Sequence, residues 1–258
     1  MKVALFQMEV SSNIKTNKLK IEKVAKEVSG KADILVLPET CLTFDSSFAQ
    51  DSETPISFFE TLSKKHNLDI ICGFYERTGS KVSNTCYYFN KDGKTLSNYH
   101  KINLWKTESG VTKGNSISVF DTQYGKVGLS ICWDLTDPIL FKKITQAGAT
   151  IIFCISFWHT GQGISSYDIE SKNIDSLCHV RSFENNIALV YVNAAGTYET
   201  NGKKDMLIGH SQVTVPIKGA IKKLDHNKEE LIIVDIDITT LKMSSNIYGL
   251  GKQNSAYF

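Results

Sequence analysis

Short apolar runs alternate with longer amphipathic stretches along the first part of the chain. Within the runs, apolar residues are consecutive or alternate, as in a β-strand, whereas in the stretches they recur every three to four residues, as on one face of a helix. This pattern predicts strands over residues 3–8, 33–37 and 69–74, and helices over about 13–29 and 55–66. Alternating strands and helices are typical of a layered α/β fold.

The order changes after residue 80. Residues 84–90 and 95–99 flank the turn Lys91-Asp92-Gly93-Lys94 and indicate a β-hairpin, so we expect antiparallel as well as parallel strands. Further along, the pattern predicts strands at 126–131, 150–155, 190–193, 211–215 and 231–236, helices at about 137–147 and 168–185, and a turn at Gly202-Lys203-Lys204-Asp205. Because no linker or internal repeat is visible, we expect one domain over residues 1–258.

The composition fits one large core. Hydrophobic residues make up 41% of the 258 residues and charged residues 22%, which provides enough apolar surface for a single sizeable core. The 29 Lys and Arg residues nearly balance the 27 Asp and Glu residues, and the net charge of +2 is scattered along the chain. Nothing in this distribution favours binding to nucleic acid.

Neither a membrane anchor nor a cofactor is expected. No apolar stretch approaches the roughly 20 residues of a spanning helix, and the apolar start at residues 1–8 is too short for a signal peptide. The six cysteines include no Cys-x-x-Cys pair and no histidine cluster at zinc spacing. Gly161 and Gly163 are too few to cradle a phosphate. We therefore expect a cytoplasmic protein with free thiols and without a metal or other cofactor.

One cysteine lies where a nucleophile is often found. Cys132 follows the apolar run 127–131 and precedes Trp133-Asp134 and a helical pattern. A turn from strand to helix exposes a nucleophile beside backbone N–H groups that can stabilise an oxyanion. Free cysteines are more often buried and inert, so the position of Cys132 does not by itself decide its role.

Two charged residues next to apolar runs are candidates to act with Cys132. Glu39 follows the run 34–38, where a strand emerges, and a partly desolvated carboxylate holds a proton more readily, as a general base must. Lys101 has apolar neighbours that would bury it, and a buried ammonium requires a carboxylate such as Glu39 or Glu108. Taken separately, Glu39 could end its strand in solvent and Lys101 could lie on the surface.

Taken together and in this order, Glu39, Lys101 and Cys132 resemble the motifs of the nitrilase, or carbon-nitrogen hydrolase, superfamily. That family carries a Glu after a Leu-Pro pair, a Lys, and a Cys after a strand, and Glu108 with Gly114 matches the position of its second glutamate. The similarity continues in the later segments 181–185, 191–193 and 209–216. It implies an α/β fold of a particular kind, a four-layer α-β-β-α sandwich with mixed sheets.

The resemblance also implies an assembly. Members of the family usually form homodimers or larger even oligomers, with the sandwich extended across a two-fold interface. The C-terminal tail, about residues 241–258, contains Tyr248, Tyr257 and Phe258 and could pack on a neighbouring subunit. A frayed terminus is the alternative for this tail.

The chemistry implied by the resemblance is thiol hydrolysis by a Glu-Lys-Cys triad. Glu39 would take the proton of Cys132, and the thiolate would attack an amide or nitrile carbon. Ammonia would then leave a thioester that water hydrolyses to a carboxylic acid. Lys101 and the backbone N–H of Trp133 would stabilise the oxyanion, and Glu108 would position Lys101 or the substrate.

The substrate is less well defined by the sequence. Trp133, Phe157 and Trp158 occupy positions where relatives line the pocket, and we expect a small aliphatic amide, with nitriles and N-carbamoyl compounds as alternatives for the same triad. Many relatives have an Arg-Phe-Pro-Glu-like stretch after Cys-aromatic-Asp, whereas residues 135–138 here are Leu-Thr-Asp-Pro. The substrates of the ω-amidase branch bear a carboxylate. Because the Arg is missing here, the substrate specificity of that branch does not carry over directly to this chain.

Two hypotheses from other functional classes stay open at this point. A Cys-His peptidase or acyltransferase would use His100, His179 or His210 as its base, although the sequence around Cys132 lacks a papain-like or caspase-like signature. A non-catalytic binding protein on the same fold would be expected to lose one of the three triad residues, and all three are present.

Overall fold

The structure is a computed structural model that describes residues 1–51, 53–200 and 202–249. Over these residues the chain forms fifteen strands and five α-helices. In chain order they are β1 (Lys2–Gln7), α1 (Ile14–Val28), β2 (Ile34–Val36), β3 (Gln50–Asp51), α2 (Glu53–His66), β4 (Asp69–Thr78), β5 (Lys81–Phe89), β6 (Thr95–His100), β7 (Ser118–Thr122), β8 (Gly125–Ile131), α3 (Pro138–Gln146), β9 (Ile151–Ser156), α4 (Tyr167–Asn185), β10 (Ala188–Asn193), β11 (Thr197–Thr200), β12 (Lys203–Met206), β13 (Gln212–Val215), β14 (Gly219–Lys223), β15 (Glu230–Asp235) and α5 (Thr239–Tyr248).

Most of the strands belong to two mixed sheets. The first has the order β15-β1-β2-β4-β5-β6, with the short β3 paired to β4, and the second has the order β14-β13-β10-β9-β8-β7. In each sheet three central strands are parallel, β1, β2 and β4 in the first and β8, β9 and β10 in the second, and antiparallel strands flank them. The predicted mixture of parallel and antiparallel pairing is confirmed.

Alternating side chains of each strand separate the layers of the fold. In β1, Val3 and Leu5 join a buried cluster with residues of the second sheet such as Leu129 and Phe153. The intervening Ala4 and Phe6 pack with apolar residues of α1 and α2, in a second cluster. Apolar residues of α3 and α4 pack on the other side of the second sheet. The expected four-layer α-β-β-α sandwich is therefore confirmed, because each sheet buries both faces.

The predicted strands and helices are found with ends shifted by a few residues, whereas residues 203–205, which were expected in a turn, belong to β12. Several other elements were not predicted. Strands β7, β11, β12 and β14 carry mostly polar or exposed residues at sheet edges or in a two-stranded ribbon, so they lack a strong apolar pattern. Helix α5 (Thr239–Tyr248) begins just before the segment that the sequence suggested as a tail, about residues 241–258, and ends within it. The remainder of that tail, with Tyr257 and Phe258, lies outside the described residues.

Three further features of the described chain bear on function. None of its helices is long and apolar enough to cross a membrane. In the same residues, no group of three or more His, Cys, Asp or Glu side chains is arranged to hold a metal ion. All six cysteines are buried and have free thiols.

Candidate active site

Four strand ends bring the candidate residues to one edge of the sandwich. Glu39 lies three residues after β2, Lys101 follows β6, Cys132 follows β8 and Phe157 follows β9. Strands β2, β4 and β6 run in the same direction, as do β8 and β9, so their carboxyl ends meet at the same edge. There they border a cavity of about 890 Å³, the strand-end cavity, whose lining includes all four residues.

A buried ion cluster forms one wall of the strand-end cavity. The Nζ of Lys101 donates to Glu39 Oε1 at 2.8 Å and to Glu108 Oε2 at 2.7 Å. The Nδ2 of Asn84 also bridges the two carboxylates, at 2.7 Å from Glu39 Oε1 and 2.8 Å from Glu108 Oε1. We call Glu39, Asn84, Lys101 and Glu108 the Lys101 cluster. Two donors shared by two acceptors fix the positions of all four side chains.

Electrostatics keep Lys101 charged. Its burial acts to lower the pKa of the ammonium, but the carboxylates of Glu39 and Glu108 outweigh burial and raise that pKa well above its ordinary value. The backbone around Lys101 is fixed by Gly114, whose N–H donates to the Lys101 carbonyl oxygen at 2.8 Å. A Cβ at Gly114 would lie 2.0 Å from the His100 oxygen, so only glycine allows this approach.

Cys132 begins a single 3₁₀ turn over residues 132–136. Its φ of +48° lies in the left-handed region, which costs a residue with a side chain about 1–3 kcal/mol. The carboxylate of Asp134 stabilises this turn, because it accepts hydrogen bonds from the N–H of Ile131 at 3.0 Å, the N–H of Asn103 at 2.9 Å and the Tyr99 hydroxyl at 2.8 Å. Burial nevertheless raises the pKa of Asp134 to about 6.

The thiol of Cys132 lies in an environment that keeps it protonated. Burial raises its pKa well above the ordinary value, and Glu39 adds to this effect, while Lys101, the Ser156 hydroxyl and the Phe157 N–H oppose it. The same Phe157 N–H donates to Glu39 Oε2 at 2.7 Å. At neutral pH the thiol therefore needs a base before it can act as a nucleophile, and the Glu39 carboxylate lines the same cavity.

Three tryptophans form an aromatic wall beside the cysteine. The ring of Trp133 lies 4.5 Å from the ring of Trp105 and 5.1 Å from that of Trp158, measured between centroids. The indole N–H of Trp158 donates to Glu170 Oε2 at 2.8 Å. All four residues line the strand-end cavity, so the wall continues from Cys132 to the first turns of α4.

The opposite side is formed by Phe157 and by a loop that Asp205 fixes. The Phe157 ring packs 5.0 Å from Tyr198 of β11. Asp205 of β12 pairs with His159 Nδ1 at 2.7 Å and accepts from the Thr160 hydroxyl and from the Gln162 N–H at 2.7 Å. The loop 159–165, much of which lines the cavity, is thus tied to the β11–β12 ribbon.

The carbon-nitrogen hydrolase family model matches residues 2–243. The chain belongs to this family. It is accordingly an enzyme that hydrolyses carbon–nitrogen bonds of the kind found in amides, and it is not the non-catalytic binding protein that the sequence left open. The expected family resemblance is confirmed.

Relatives of this carbon-nitrogen hydrolase include proteins named for nitrilase and amidase activities. A probable nitrilase of Schizosaccharomyces pombe is 31% identical over 198 residues, covering 74% of this chain and 68% of the relative. A 2-oxoglutaramate amidase of Bacillus subtilis is 27% identical over 238 residues, covering 88% and 85% respectively. The crystal structure of Saccharomyces cerevisiae Nit3, a member of branch 10 of the nitrilase superfamily, has the same fold, with a TM-score of 0.86 at 22% identity over 99% of this chain and 96% of that chain.

The strand-end cavity of the carbon-nitrogen hydrolase contains every site residue that the sequence suggested. These residues are Glu39, Lys101, Glu108, Cys132, Trp133, Phe157 and Trp158. By contrast, His100, His179 and His210 do not line it, which argues against a Cys-His mechanism with any of them as the base. His159 does line the cavity, but its Nδ1 is paired with Asp205.

Sequence reasoning did not identify Asn84, Asp205 or Glu170. Asn84 lies inside the predicted hairpin and Asp205 inside a predicted turn, so each had an ordinary structural explanation. Glu170 lies at the start of an amphipathic helix, where acidic residues are common because of the helix dipole. Asn84 and Asp205 contact residues far away in the chain, and Glu170 contacts Trp158 across the loop between β9 and α4. The sequence carries no local signal for these contacts.

Proposed function

We propose that this enzyme hydrolyses an amide through a thioester on Cys132, with Glu39 as general base and acid and with Lys101 as an oxyanion donor. The observation that carries the proposal is that the Cys132 thiol, the Glu39 carboxylate and the Lys101 ammonium line one cavity, with Lys101 Nζ 2.8 Å from Glu39 Oε1. This arrangement puts a base, a nucleophile and a positive charge around one point of the cavity.

The first half of the reaction forms the thioester. Glu39 takes the proton of the Cys132 thiol, and the resulting thiolate attacks the amide carbon. The oxygen of the tetrahedral intermediate gains a negative charge, which the Lys101 ammonium and the Trp133 N–H stabilise. Glu39 then transfers the proton to the amide nitrogen, the carbon–nitrogen bond breaks and ammonia leaves.

The second half regenerates the enzyme. Glu39 removes a proton from a water molecule, and the hydroxide attacks the thioester carbon. The carbon–sulfur bond breaks, the carboxylic acid leaves, and the Cys132 sulfur recovers its proton from Glu39. Glu108 does not take part in proton transfer in this scheme, because its carboxylate accepts from Lys101 Nζ and from the Trp105 N–H at 2.7 Å and so positions the ammonium.

We further propose a small aliphatic amide as the substrate class, with nitriles and N-carbamoyl compounds as the alternatives that the same residues would serve. The buried free thiols agree with a reducing, cytoplasmic setting.

A panel of small amides, N-carbamoyl compounds and nitriles tests this proposal. Ammonia release is measured for the wild type, for Cys132→Ala and for Cys178→Ala, which alters a buried cysteine of α4 outside the strand-end cavity. We expect release from the wild type and Cys178→Ala, none from Cys132→Ala, and an acyl adduct on Cys132 by mass spectrometry. Equal ammonia release by Cys132→Ala would refute the thioester mechanism, and the preferred panel members would identify the substrate class.

We also propose that the enzyme forms a homodimer or a larger even oligomer. Helices α4 and α5 pack together through Phe183 and Tyr248, whose rings lie 5.5 Å apart. Beside this contact, Val180, Met243 and Ile247 are 45%, 57% and 60% exposed. An apolar patch of this kind on two neighbouring helices is typical of a subunit interface.

A further inference from the structure

The charges that line the strand-end cavity are predominantly negative. Glu39, Asp45, Glu108 and Glu170 contribute carboxylates, whereas Lys101 contributes the one ammonium among the described lining residues. That ammonium already binds Glu39 and Glu108. A substrate carboxylate would therefore meet several like charges and no uncommitted cation.

The arginines of the chain do not change this balance. There are two, Arg77 and Arg181, and neither lines the cavity. The Arg181 guanidinium donates to the carbonyl oxygens of Leu135 at 3.0 Å and Thr136 at 3.3 Å, and pairs with Glu184 at 2.6 Å. It stabilises the segment after Cys132 from outside the cavity, and its donors are not available to a ligand.

Glu170 lies at the outer end of the aromatic wall. Going outward from Cys132, the wall passes from Trp133 to Trp158 and then to Glu170. Glu170 Oε2 accepts from the Trp158 indole at 2.8 Å and from Asn173 Nδ2 at 3.3 Å. Within the described part of the chain, its Oε1 accepts no hydrogen bond and no cationic side chain lies within 4 Å of the carboxylate. The side chain is thus oriented by protein contacts, with one charged oxygen left for a ligand.

The aromatic wall itself also favours a cation. An ammonium within about 6 Å of an indole face is attracted by the negative charge of the π-system, most strongly by tryptophan. Trp105, Trp133 and Trp158 supply three such rings. The cavity volume of about 890 Å³ also leaves room beyond a minimal amide group for a chain that reaches from Cys132 to Glu170.

We propose that the substrate is an aliphatic amide or ureido compound whose end remote from the scissile bond carries an ammonium group. Glu170 Oε1 accepts a hydrogen bond from this ammonium, and the faces of Trp133 and Trp158 contact its alkyl chain. The ammonium is unchanged in the reaction and serves only for recognition. This inference rests on the proposed hydrolysis at Cys132, and it makes carboxylate-bearing amides poor substrates.

Three amides of similar length and different charge test the inference. They are 5-aminopentanamide, which is cationic, hexanamide, which is neutral, and glutaramate, which is anionic. Measured by ammonia release, kcat/KM of the wild type is expected to be about tenfold higher for the cationic amide than for the neutral one, and lowest for the anionic one.

Two variants assign this preference to Glu170. Glu170→Gln keeps an acceptor for the Trp158 indole but removes the charge, so we expect kcat/KM for 5-aminopentanamide to fall about tenfold and that for hexanamide to stay within about twofold. Asp168→Asn removes a charge from the same helix at an exposed position outside the cavity, and should change neither. A wild type that prefers glutaramate, or a cation preference that survives Glu170→Gln, would overturn the inference.

The outcomes also separate this inference from the proposed function. Ammonia release that persists in Cys132→Ala would overturn the thioester mechanism and the inference that rests on it. Release that depends on Cys132 but shows no preference for the cationic amide would overturn the inference alone. Calorimetric titration of Cys132→Ala with 5-aminopentanamide gives a readout independent of turnover. We expect binding about tenfold tighter than in Cys132→Ala/Glu170→Gln, and equal binding would count against the ammonium site.

Discussion

At the scale of single residues, the candidate site depends on Lys101. Its ammonium lies between two carboxylates that would otherwise repel each other in a buried place. Removing one partner of a buried ion pair leaves an uncompensated charge, which costs more than the pair itself contributes. The same side chain can thus matter for stability and for catalysis, and only a second substitution separates the two effects.

Lys101→Met should lower kcat about 100- to 1000-fold, because it removes an oxyanion donor, and should reduce the free energy of unfolding by about 3–5 kcal/mol. In Lys101→Met/Glu108→Gln one of the two buried negative charges is also gone, so part of the stability should return while kcat stays low. Ammonia release and urea unfolding of both variants check this. A wild-type rate in Lys101→Met would exclude a catalytic role for Lys101.

Glu39→Gln tests the identity of the base. The amide of glutamine accepts no proton at neutral pH, so kcat should fall about 100- to 10,000-fold, the contribution of a general base. His159→Gln is the matched control. Among the described residues that line the cavity, His159 is the one histidine, and it would have to be the base of a Cys-His mechanism there. If Glu39→Gln retained activity and His159→Gln lost it, a Cys-His mechanism would replace the Glu-Lys-Cys mechanism.

At the scale of elements, strand ends position the candidate catalytic residues and loops complete the cavity. The strands β2, β6, β8 and β9 are anchored in two sheets, so the residues that follow them are positioned by many backbone hydrogen bonds. The loop 159–165 is held to the β11–β12 ribbon by the side chain of Asp205 together with a backbone hydrogen bond from the Thr160 N–H to the Met206 oxygen at 3.0 Å. Burial alone would raise the pKa of Asp205, but the Thr160 hydroxyl, His159 and backbone N–H groups outweigh it and lower that pKa.

Asp205→Asn should therefore destabilise the enzyme in a pH-dependent way. A carboxylate whose pKa is lower in the folded than in the unfolded state stabilises the fold above its unfolded pKa of about 3.9, and this contribution is lost as the pH falls through the folded value. The loss relative to wild type should be about 2 kcal/mol at pH 7 and should shrink below about pH 4. Urea unfolding across this range measures it, with the exposed Asp121→Asn as control. A difference that grows at low pH would contradict the assignment.

At the scale of the whole molecule, the helical layer that contains α4 and α5 carries exposed apolar side chains close together. Val180 of α4 and Ile247 of α5 are 45% and 60% exposed in an apolar patch beside the Phe183–Tyr248 contact. On the other outer layer, Leu19 of α1 is 58% exposed. The patch on α4 and α5 is the surface on which the proposed homodimer depends.

Ile247→Lys should convert the proposed dimer into a monomer, because burying an unpaired ammonium in an apolar interface costs several kcal/mol. Leu19→Lys changes an equally exposed apolar residue on the opposite layer and should leave the assembly intact. Sedimentation velocity gives the mass of each variant. A wild-type monomer, or a dimer that survives Ile247→Lys, would contradict an interface at α4 and α5.

Local patterns in the sequence were enough to predict the layered fold and to select candidate residues that line the strand-end cavity. The two-residue period of strands and the 3.6-residue period of helices are local properties, so buried strands such as β1, β2, β8 and β9 were predictable, as were the positions of Glu39, Lys101 and Cys132 at or near strand ends. Exposed edge strands were not predictable, because polar ribbons such as β11 and β12 have no apolar face that marks their period.

How these residues are arranged follows from the packing of the two sheets. Asn84 bridges Glu39 and Glu108 from 45 and 24 residues away in the chain, and the Phe157 N–H contacts Glu39 from 118 residues away. Such contacts depend on which strand ends become neighbours when two sheets pack face to face. The charge of the strand-end cavity, with Glu170 in its lining and Arg181 bound to backbone oxygens outside it, follows in the same way, since side-chain partners depend on packing and not on local sequence.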